Sequence, residues 1–316
     1  MEVAAARTVP ACVVLGPLLF LTVTIELEGE RPRVHLHPGG QGFWIARMIR
    51  QLGGAPTLVA PIGGEAGDVV AAMLPGWEIG LDAVRTSAAS PTQIHDRRSG
   101  ERVEVVAIET PELDRHEADD LYAAALKCSL AADAVVITAA PEGVLPQDAY
   151  GRLVHDLNAQ DIRVFADVHG PALDAILEQG TLDVLKVSED DLRSDGWTIE
   201  SERESVEAAR ELVHRGAGAV VISRGGEPAI AAVGEQVVRV HPPTLAEVDH
   251  AGAGDSMSAG ITVGRVSGLD PLDAIRLGAA AGAGNVIRRG LGSGSSELIA
   301  ELARLVEIEN VRERRA

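Results

Sequence analysis

From Val248 to Gly260 the chain reads Val-Asp-His-Ala-Gly-Ala-Gly-Asp-Ser-Met-Ser-Ala-Gly, small residues set around one carboxylate. Glycines let neighbouring backbone N–H groups turn together toward an oxyanion, and a helix opening there adds the partial positive charge of its first turn. Asp255 then stands beside whatever anion is held, placed to take a proton from a neighbouring hydroxyl. The same residues also suit an ordinary Gly-rich helix start, in which Asp255 only favours the N-terminus.

Positioning such a loop takes a rigid frame, and the rest of the chain supplies the pattern of one. Short β-branched runs at Pro56 to Ala60, Ala134 to Thr138, Ile162 to Ala166, Val184 to Val187 and Ala219 to Ser223 alternate with apolar residues at helical spacing. The helical segments are Glu117 to Lys127, Gln147 to Ala159, Pro171 to Gln179 and Ser205 to Arg215, and the alternation predicts an α/β, doubly wound, mostly parallel sheet with helices on both faces. Val9 to Val23 reads as a first buried strand with a turn. Leu21 to His37 and Gln93 to Ala107 break the rhythm with period-two alternation, which marks half-exposed antiparallel strands and predicts a small separate β-sheet. Pro228 to Val240 reads as two short strands, Gly252 to Val306 as nearly all helix, and Glu307 to Ala316 as a frayed charged tail. Residues 1–316 are expected to form a single domain with that small sheet as an appendage.

Composition narrows the partners. With 46% hydrophobic but only 3% aromatic residues, the core must be built from Ala, Val, Leu and Ile. A formal net charge of -19 repels nucleic-acid phosphates and anionic membranes, so neither is an expected partner. An anionic small substrate remains compatible, because helix N-termini and a divalent cation override the global field locally. Cys12 and Cys128 match no metal-ligand spacing and read as reduced thiols, which fits a cytoplasmic protein. No apolar run reaches the length of a membrane helix.

The order Ala251-Gly252-Ala253-Gly254-Asp255-Ser256 before Ala259-Gly260, with Asp249 as leading acid, resembles the C-terminal signature D-T-x-G-A-G-D of the ribokinase and phosphofructokinase-B carbohydrate kinases. Pro38-Gly39-Gly40-Gln41-Gly42-Phe43-Trp44-Ile45-Ala46, ending in Leu52-Gly53, looks like that family's N-terminal G-G-x-G-x-N-x-A motif. Gly63 to Gly67 resembles its G-x-D-x-x-G turn, Val221 to Gly226 its S-x-G loop, and Ala279 to Asn285 its adenine-side helix. The resemblance implies a ribokinase-like fold whose small sheet is a lid, and ATP with Mg²⁺ as the phosphoryl source. Asp255 would be the general base, and the N–H groups of Gly252, Ala253 and Gly254 the anion hole. Ser188, Ser223, Gly225, Gly226, Gly252, Gly254 and Asn285 would serve the nucleotide, and Gly39, Gly40, Gln41, Trp44 and Asp255 the acceptor. Lys186-Val187-Ser188-Glu189-Asp190-Asp191 stands where the family has K-P-N-x-x-E, so Asp191 or Glu189 would support the metal, directly or through water; an acidic helix start accounts for the same residues.

Within the family, Pro38-Gly39-Gly40 and Arg288-Arg289-Gly290-Leu291-Gly292 place the resemblance nearest the 1-phosphofructokinase and tagatose-6-phosphate kinase branch. The acceptor side departs from that branch. Gln41 replaces Lys, Trp44 replaces Asn, Pro91 stands where Arg is usual, and Gly16-Pro17-Leu18-Leu19-Phe20 lacks the Asp of N-P-x-x-D. Trp44 either stacks on a flat acceptor or fills the emptied pocket. His95, Arg97 and Arg98 could restore charge or form a solvated hairpin tip. The expected activity is ATP-dependent phosphorylation of a hydroxyl on a small sugar or sugar-phosphate-like acceptor; the alternatives are a kinase of a non-sugar alcohol or nucleoside, and a catalytically silent nucleotide or sugar binder. A homodimer paired through the lid is expected. With so few cationic donors, fructose 1-phosphate and tagatose 6-phosphate are expected to be poor acceptors unless His95, Arg97 or Arg98 swings in from the lid, and a flatter or uncharged one a better fit.

Overall fold

The computed structural model describes residues 9–141, 143–288 and 290–311. The chain runs β1 (Ala11–Leu15), β2 (Phe20–Glu28), β3 (Arg31–Gly39), α1 (Gln41–Gln51), β4 (Ala55–Ile62), α2 (Gly64–Met73), β5 (Gly80–Arg85), β6 (Thr92–Asp96) and β7 (Val103–Ala107). It continues through α3 (Arg115–Ser129), β8 (Ala134–Thr138), α4 (Gln147–Asn158), β9 (Arg163–Asp167), α5 (Gly170–Gln179), β10 (Leu182–Ser188), α6 (Glu189–Ser194) and α7 (Glu202–His214). It ends with β11 (Ala217–Arg224), β12 (Glu227–Val233), β13 (Gln236–His241), α8 (Ala253–Val266), α9 (Pro271–Val286), α10 (Ser296–Leu305) and β14 (Glu307–Asn310).

Ten strands make one sheet in the order β14-β13-β12-β11-β10-β9-β8-β1-β4-β5. From β5 to β11 all neighbours are parallel, and β12, β13 and β14 extend it antiparallel. Alternate residues of each strand feed two cores. Val14, Leu58, Val136, Phe165 and Val184 join Ile45, Ile49, Ile261 and Ile275 from α1, α8 and α9. Val13, Val59, Ile137, Val164 and Leu185 join Leu121, Leu153, Ile176 and Leu212 from α3, α4, α5 and α7 on the other face. This two-sided burial explains why the strands read as continuous apolar runs.

Small residues then let the helices over the first core sit close. A side chain on Gly260 would begin 2.8 Å from the Cα of Gly278, so α8 and α9 cross almost backbone to backbone. Val248 and Asp249 donate to the carbonyl of Val286 at the end of α9, which ties the loop before α8 to the same pair.

The second sheet, β3-β2-β6-β7, is the separate alternating sheet that the sequence predicts. The apolar stretch from Val9 to Val23 divides between the two sheets: β1 is buried in the large one, and from Phe20 onward the chain already belongs to the small one. The tail differs as well. Glu307–Asn310 is a strand on β13 rather than frayed chain, held by main-chain pairing. Residues 312–316 of that tail, and Arg289 of the Arg288 to Gly292 stretch, lie outside the described residues. Both described cysteines are free; burial raises the Cys12 thiol to about 12, and burial followed by its contact with Asp82 raises Cys128 to about 11. Among the described residues no helix is long and apolar enough to cross a membrane.

Candidate active site

Parallel register brings the first charges together. Lys186 on β10 lies opposite Asp167 at the end of β9, both on the sheet face covered by α8. Their ion pair measures 3.4 Å, and Ser258 of α8 donates to the other Asp167 oxygen at 2.6 Å. Asp255 sits above them in the first turn of α8, only 9% exposed. Burial foremost, then the charge of Asp167, raises its carboxyl to about 7, against the pull of Lys186 and a side-chain hydrogen bond from Gln41. Burial alone would lower the Lys186 ammonium, but Asp167, Asp255 and Asp191 outweigh it and hold the ammonium in its charged form. A cavity of about 640 Å³ opens onto Gln41, Asp167, Lys186, Ser188, Asp191, Gly254 and Asp255.

The loop entering α8 turns at Gly252, whose φ of 74° makes it the helix cap. Gly254 has another reason to be glycine: a Cβ there would stand 2.5 Å from the Lys186 Nζ. Ala253 is less available than expected for an anion hole, since its N–H already donates to the His250 carbonyl at 3.3 Å.

Of the residues expected to serve the nucleotide, Ser188 and Asp191 form a reciprocal cap on α6. Ser188 donates to Asp191 Oδ2 from both N (2.9 Å) and Oγ (2.6 Å), and the Asp191 N–H returns a bond at 3.0 Å. That leaves Asp191 Oδ1 on the cavity side, 3.9 Å from His169 Nε2. Glu189 does not join it: one oxygen binds Ser205 and Arg224 and the other Arg193, which turns the carboxylate away from the cavity. Ser223 lies beside Ser188 in parallel register, and Gly225 and Gly226 make the exposed turn that follows. Asn285 is buried, donates to the Ala251 carbonyl at 2.7 Å and accepts from Ser293, so it braces the loop from behind. Among the described residues no group of three or more His, Cys, Asp or Glu could hold a metal by itself. A magnesium ion that arrives on phosphate oxygens and leans on one carboxylate fits Asp191.

On the acceptor side, Gly39 and Gly40 are both buried. A Cβ on Gly39 would meet the Phe20 ring at 2.3 Å, and one on Gly40, at φ 115°, the Leu18 carbonyl at 2.2 Å. Their absence of side chains lets α1 begin against Phe20, with Gln41 reaching Asp255. Trp44, one turn along α1, meets Phe20 edge-on at 6.2 Å and lines a second cavity of about 370 Å³ under the small sheet. Thr22 on β2 lies opposite His37 and Gln93, and Thr24 opposite His35 and His95, so these polar residues share the sheet face over that cavity. Arg97 is in its wall and pairs with Asp249 at 3.7 Å, whereas Arg98 is bound to Asp96 and lies outside.

Known proteins with this chemistry share the frame. The model of the pfkB family carbohydrate kinases matches residues 13–298. The chain belongs to the pfkB family of carbohydrate kinases. It is 30% identical over 289 residues to the ATP-dependent 6-phosphofructokinase isozyme 2 of Mycobacterium tuberculosis, covering 87% of this chain and 83% of that protein. It is 26% identical over 259 residues to the 1-phosphofructokinase of Bacillus subtilis, covering 81% and 84%. A possible 1-phosphofructokinase from Thermotoga maritima superposes with a TM-score of 0.85 at 18% identity, over 96% of this chain and 100% of that one, which shows the ribokinase-like fold.

In this pfkB family kinase, motif reading missed Asp167, His169, Arg47 and Arg102. A lone lysine inside the apolar run Val184–Val187 was the available signal for a buried partner, because a buried ammonium needs one. Arg47 and Arg102 carry no such mark, since only the folded sheet brings them together. The Gly254 contact yields a test. Gly254→Val should displace Lys186 and reduce kcat/KM on the order of 10²-fold, while melting stays within about 4 °C of wild type, a change of roughly 1 kcal/mol. Steady-state kinetics and thermal unfolding of one preparation measure both; normal turnover would show that the Lys186 position is unimportant.

Proposed function

We propose that this chain transfers the γ-phosphoryl group of ATP to a hydroxyl of a small sugar or sugar-phosphate-like acceptor, with Asp255 as general base. The observation that carries this reading is a buried carboxylate, raised to about 7, at a helix N-terminus beside a buried ammonium and an open cavity. A base with that affinity holds little charge to spare in the resting site yet accepts a proton readily near neutrality. The acceptor oxygen attacks the γ-phosphorus, the bond to the β,γ-bridging oxygen breaks, ADP leaves, and the hydroxyl proton passes to an Asp255 oxygen. Gly252 and Gly254 remain as the loop N–H donors for the phosphoryl oxygens, assisted by the α8 dipole. Lys186 keeps Asp255 oriented and adds positive charge at the same wall. Magnesium would neutralise the nucleotide phosphates when bound, with Asp191 as its support through water. Ser188, Ser223, Gly225 and Gly226, along the adjacent strand ends, would border the nucleotide.

The small sheet is the lid of this reading, and its outer face supports a homodimer. Leu27, Val34, Val103 and Val106 are exposed while Thr22, Thr24 and His95 beneath are buried, the reverse of an ordinary surface sheet. A second copy laid on the same face would cover these residues reciprocally, as an isologous contact does.

Two measurements test the proposal. Asp255→Asn should lower ADP release in the presence of acceptor by about 10² to 10⁴-fold without loss of folding, since Asn also suits a helix start; activity within a few-fold of wild type would refute Asp255 as base. Light scattering at micromolar concentration should give twice the chain mass, and Val34→Glu with Val106→Glu should give one chain mass. A wild-type monomer would refute the lid dimer.

A further inference from the structure

The second cavity is better suited to a charge than to a polyol. Phe20 and Trp44 stand where the family motifs carry Asp and Asn, and the two rings touch, so neither position can grip hydroxyl groups. The polar wall opposite is cationic. Arg47 from α1, Arg97 from the β6–β7 turn and Arg102 before β7 all line the cavity, against the carboxylates of Glu26 and Asp249. Arg288 adds to the field: burial first, then its charge, lowers the Arg47 guanidinium. In a chain of net charge -19, such a gathering opposes the global trend.

Two buried donors in this wall lack acceptors. Arg47 gives Nη1 to the Leu291 carbonyl at 2.6 Å and rests 4.3 Å over the Trp77 ring, but its Nε has no partner. His95, 3% exposed, meets the Arg102 guanidinium at 2.7 Å through Nε2. Guanidinium only donates, so Nε2 must accept, and the neutral ring carries its proton on Nδ1. That Nδ1 is buried and unpartnered too. Unmet buried donors are costly, and an incoming acceptor atom relieves both. Among the described residues Arg102 has no carboxylate within ion-pair distance, so its charge is also open.

We propose that this cavity holds the anionic end of the acceptor, a phosphate or carboxylate group, with Arg47, Arg97, Arg102 and His95 as its donors. The proposal rests on the phosphotransfer reading, because it assigns the acceptor's far end. α1 links the two ends: Gln41 touches Asp255 in the first cavity, and Arg47 in the second lies six residues further, about 9 Å along the helix axis. In this proposal a short phosphorylated or acidic sugar has its reacting hydroxyl toward Asp255 and its carbon body beside Phe20 and Trp44, which line the second cavity. The sequence leaves sugar phosphates a poor fit unless lid residues supply charge; His95 and Arg97 line the cavity as that condition asks, Arg47 and Arg102 join them, and Arg98 stays outside on Asp96.

Binding, rather than turnover, separates this inference from the assignment of Asp255. Isothermal titration of the nucleotide-free protein would use inorganic phosphate, fructose 6-phosphate, gluconate and fructose. The expected result is that fructose 6-phosphate binds well ahead of fructose, and that Arg97→Ala and Arg102→Ala each weaken it roughly tenfold or more, the loss of one charge-assisted hydrogen bond. Arg98→Ala, one position along the same turn but paired with Asp96, should change it less than about twofold, and Arg102→Lys should recover part of the loss. If phosphate binds and gluconate does not, the subsite is for phosphate; equal binding makes it a general anion subsite, and both results support the proposal. Fructose binding as tightly as its phosphate ester, no binding of any anion, or indifference to Arg97→Ala would overturn it. Arg97 is partly exposed, so its variant folds even if Arg102→Ala does not. Fructose 6-phosphate binding is read here without turnover, so a failed base assignment would leave this result standing, and the reverse.

Discussion

A buried ammonium governs the centre of this enzyme. Lys186 stands on an interior strand of a sheet covered on both faces, where an unpaired charge would cost several kcal/mol. Parallel register supplies Asp167, α8 supplies Asp255, and Ser258 of α8 satisfies the second Asp167 oxygen. Burial foremost, and then the Asp167 charge that pairs the lysine, leave Asp255 hard to ionise and poised near neutrality. The close crossing of α8 and α9, the bracing of the loop by Asn285 and the bare Gly254 keep that arrangement from relaxing.

The lid answers to a different constraint. Its alternating strands look like an amphipathic sheet with the apolar face inward, yet the polar face is the buried one. The reversal makes sense if the inner face binds an anion and the outer face meets another protein surface. The aromatic replacements form one packed unit, with Phe20 against Gly39 and edge-on to Trp44.

Much of this was legible in the sequence. The interior strands of the parallel sheet and the two segments of the small sheet follow from hydrophobic period, because burial on two faces or on one leaves different patterns; the edge strand β5, only partly buried, is not among them. Partners in the fold were not legible: Asn285, read as a nucleotide contact, bonds to Ala251; Ala253, read as part of the anion hole, donates to His250; and Glu189, read as a metal support, is held by Ser205, Arg224 and Arg193. β14 read as frayed because strand addition at an edge leaves little trace in four charged and polar residues. Of the cations of the second cavity, Arg97 and its neighbour His95 were legible on an alternating segment, whereas Arg47 on α1 and Arg102 before β7 join them only in the fold.

The central claim is that the base is Asp255 with its carboxyl raised by burial and Asp167. Since the reaction needs the ionised form, activity must fall as pH drops through the raised value, while Lys186 stays charged across the same window. The direct measurement is the pH dependence of kcat/KM for an accepted substrate, which reports the free enzyme's ionisations, in wild type and Asp167→Asn. An acidic limb with its inflection near 7, moved to lower pH when the Asp167 charge is removed, is the predicted result. A profile that stays flat from pH 8 down to pH 5, or an inflection unmoved by Asp167→Asn, would contradict it.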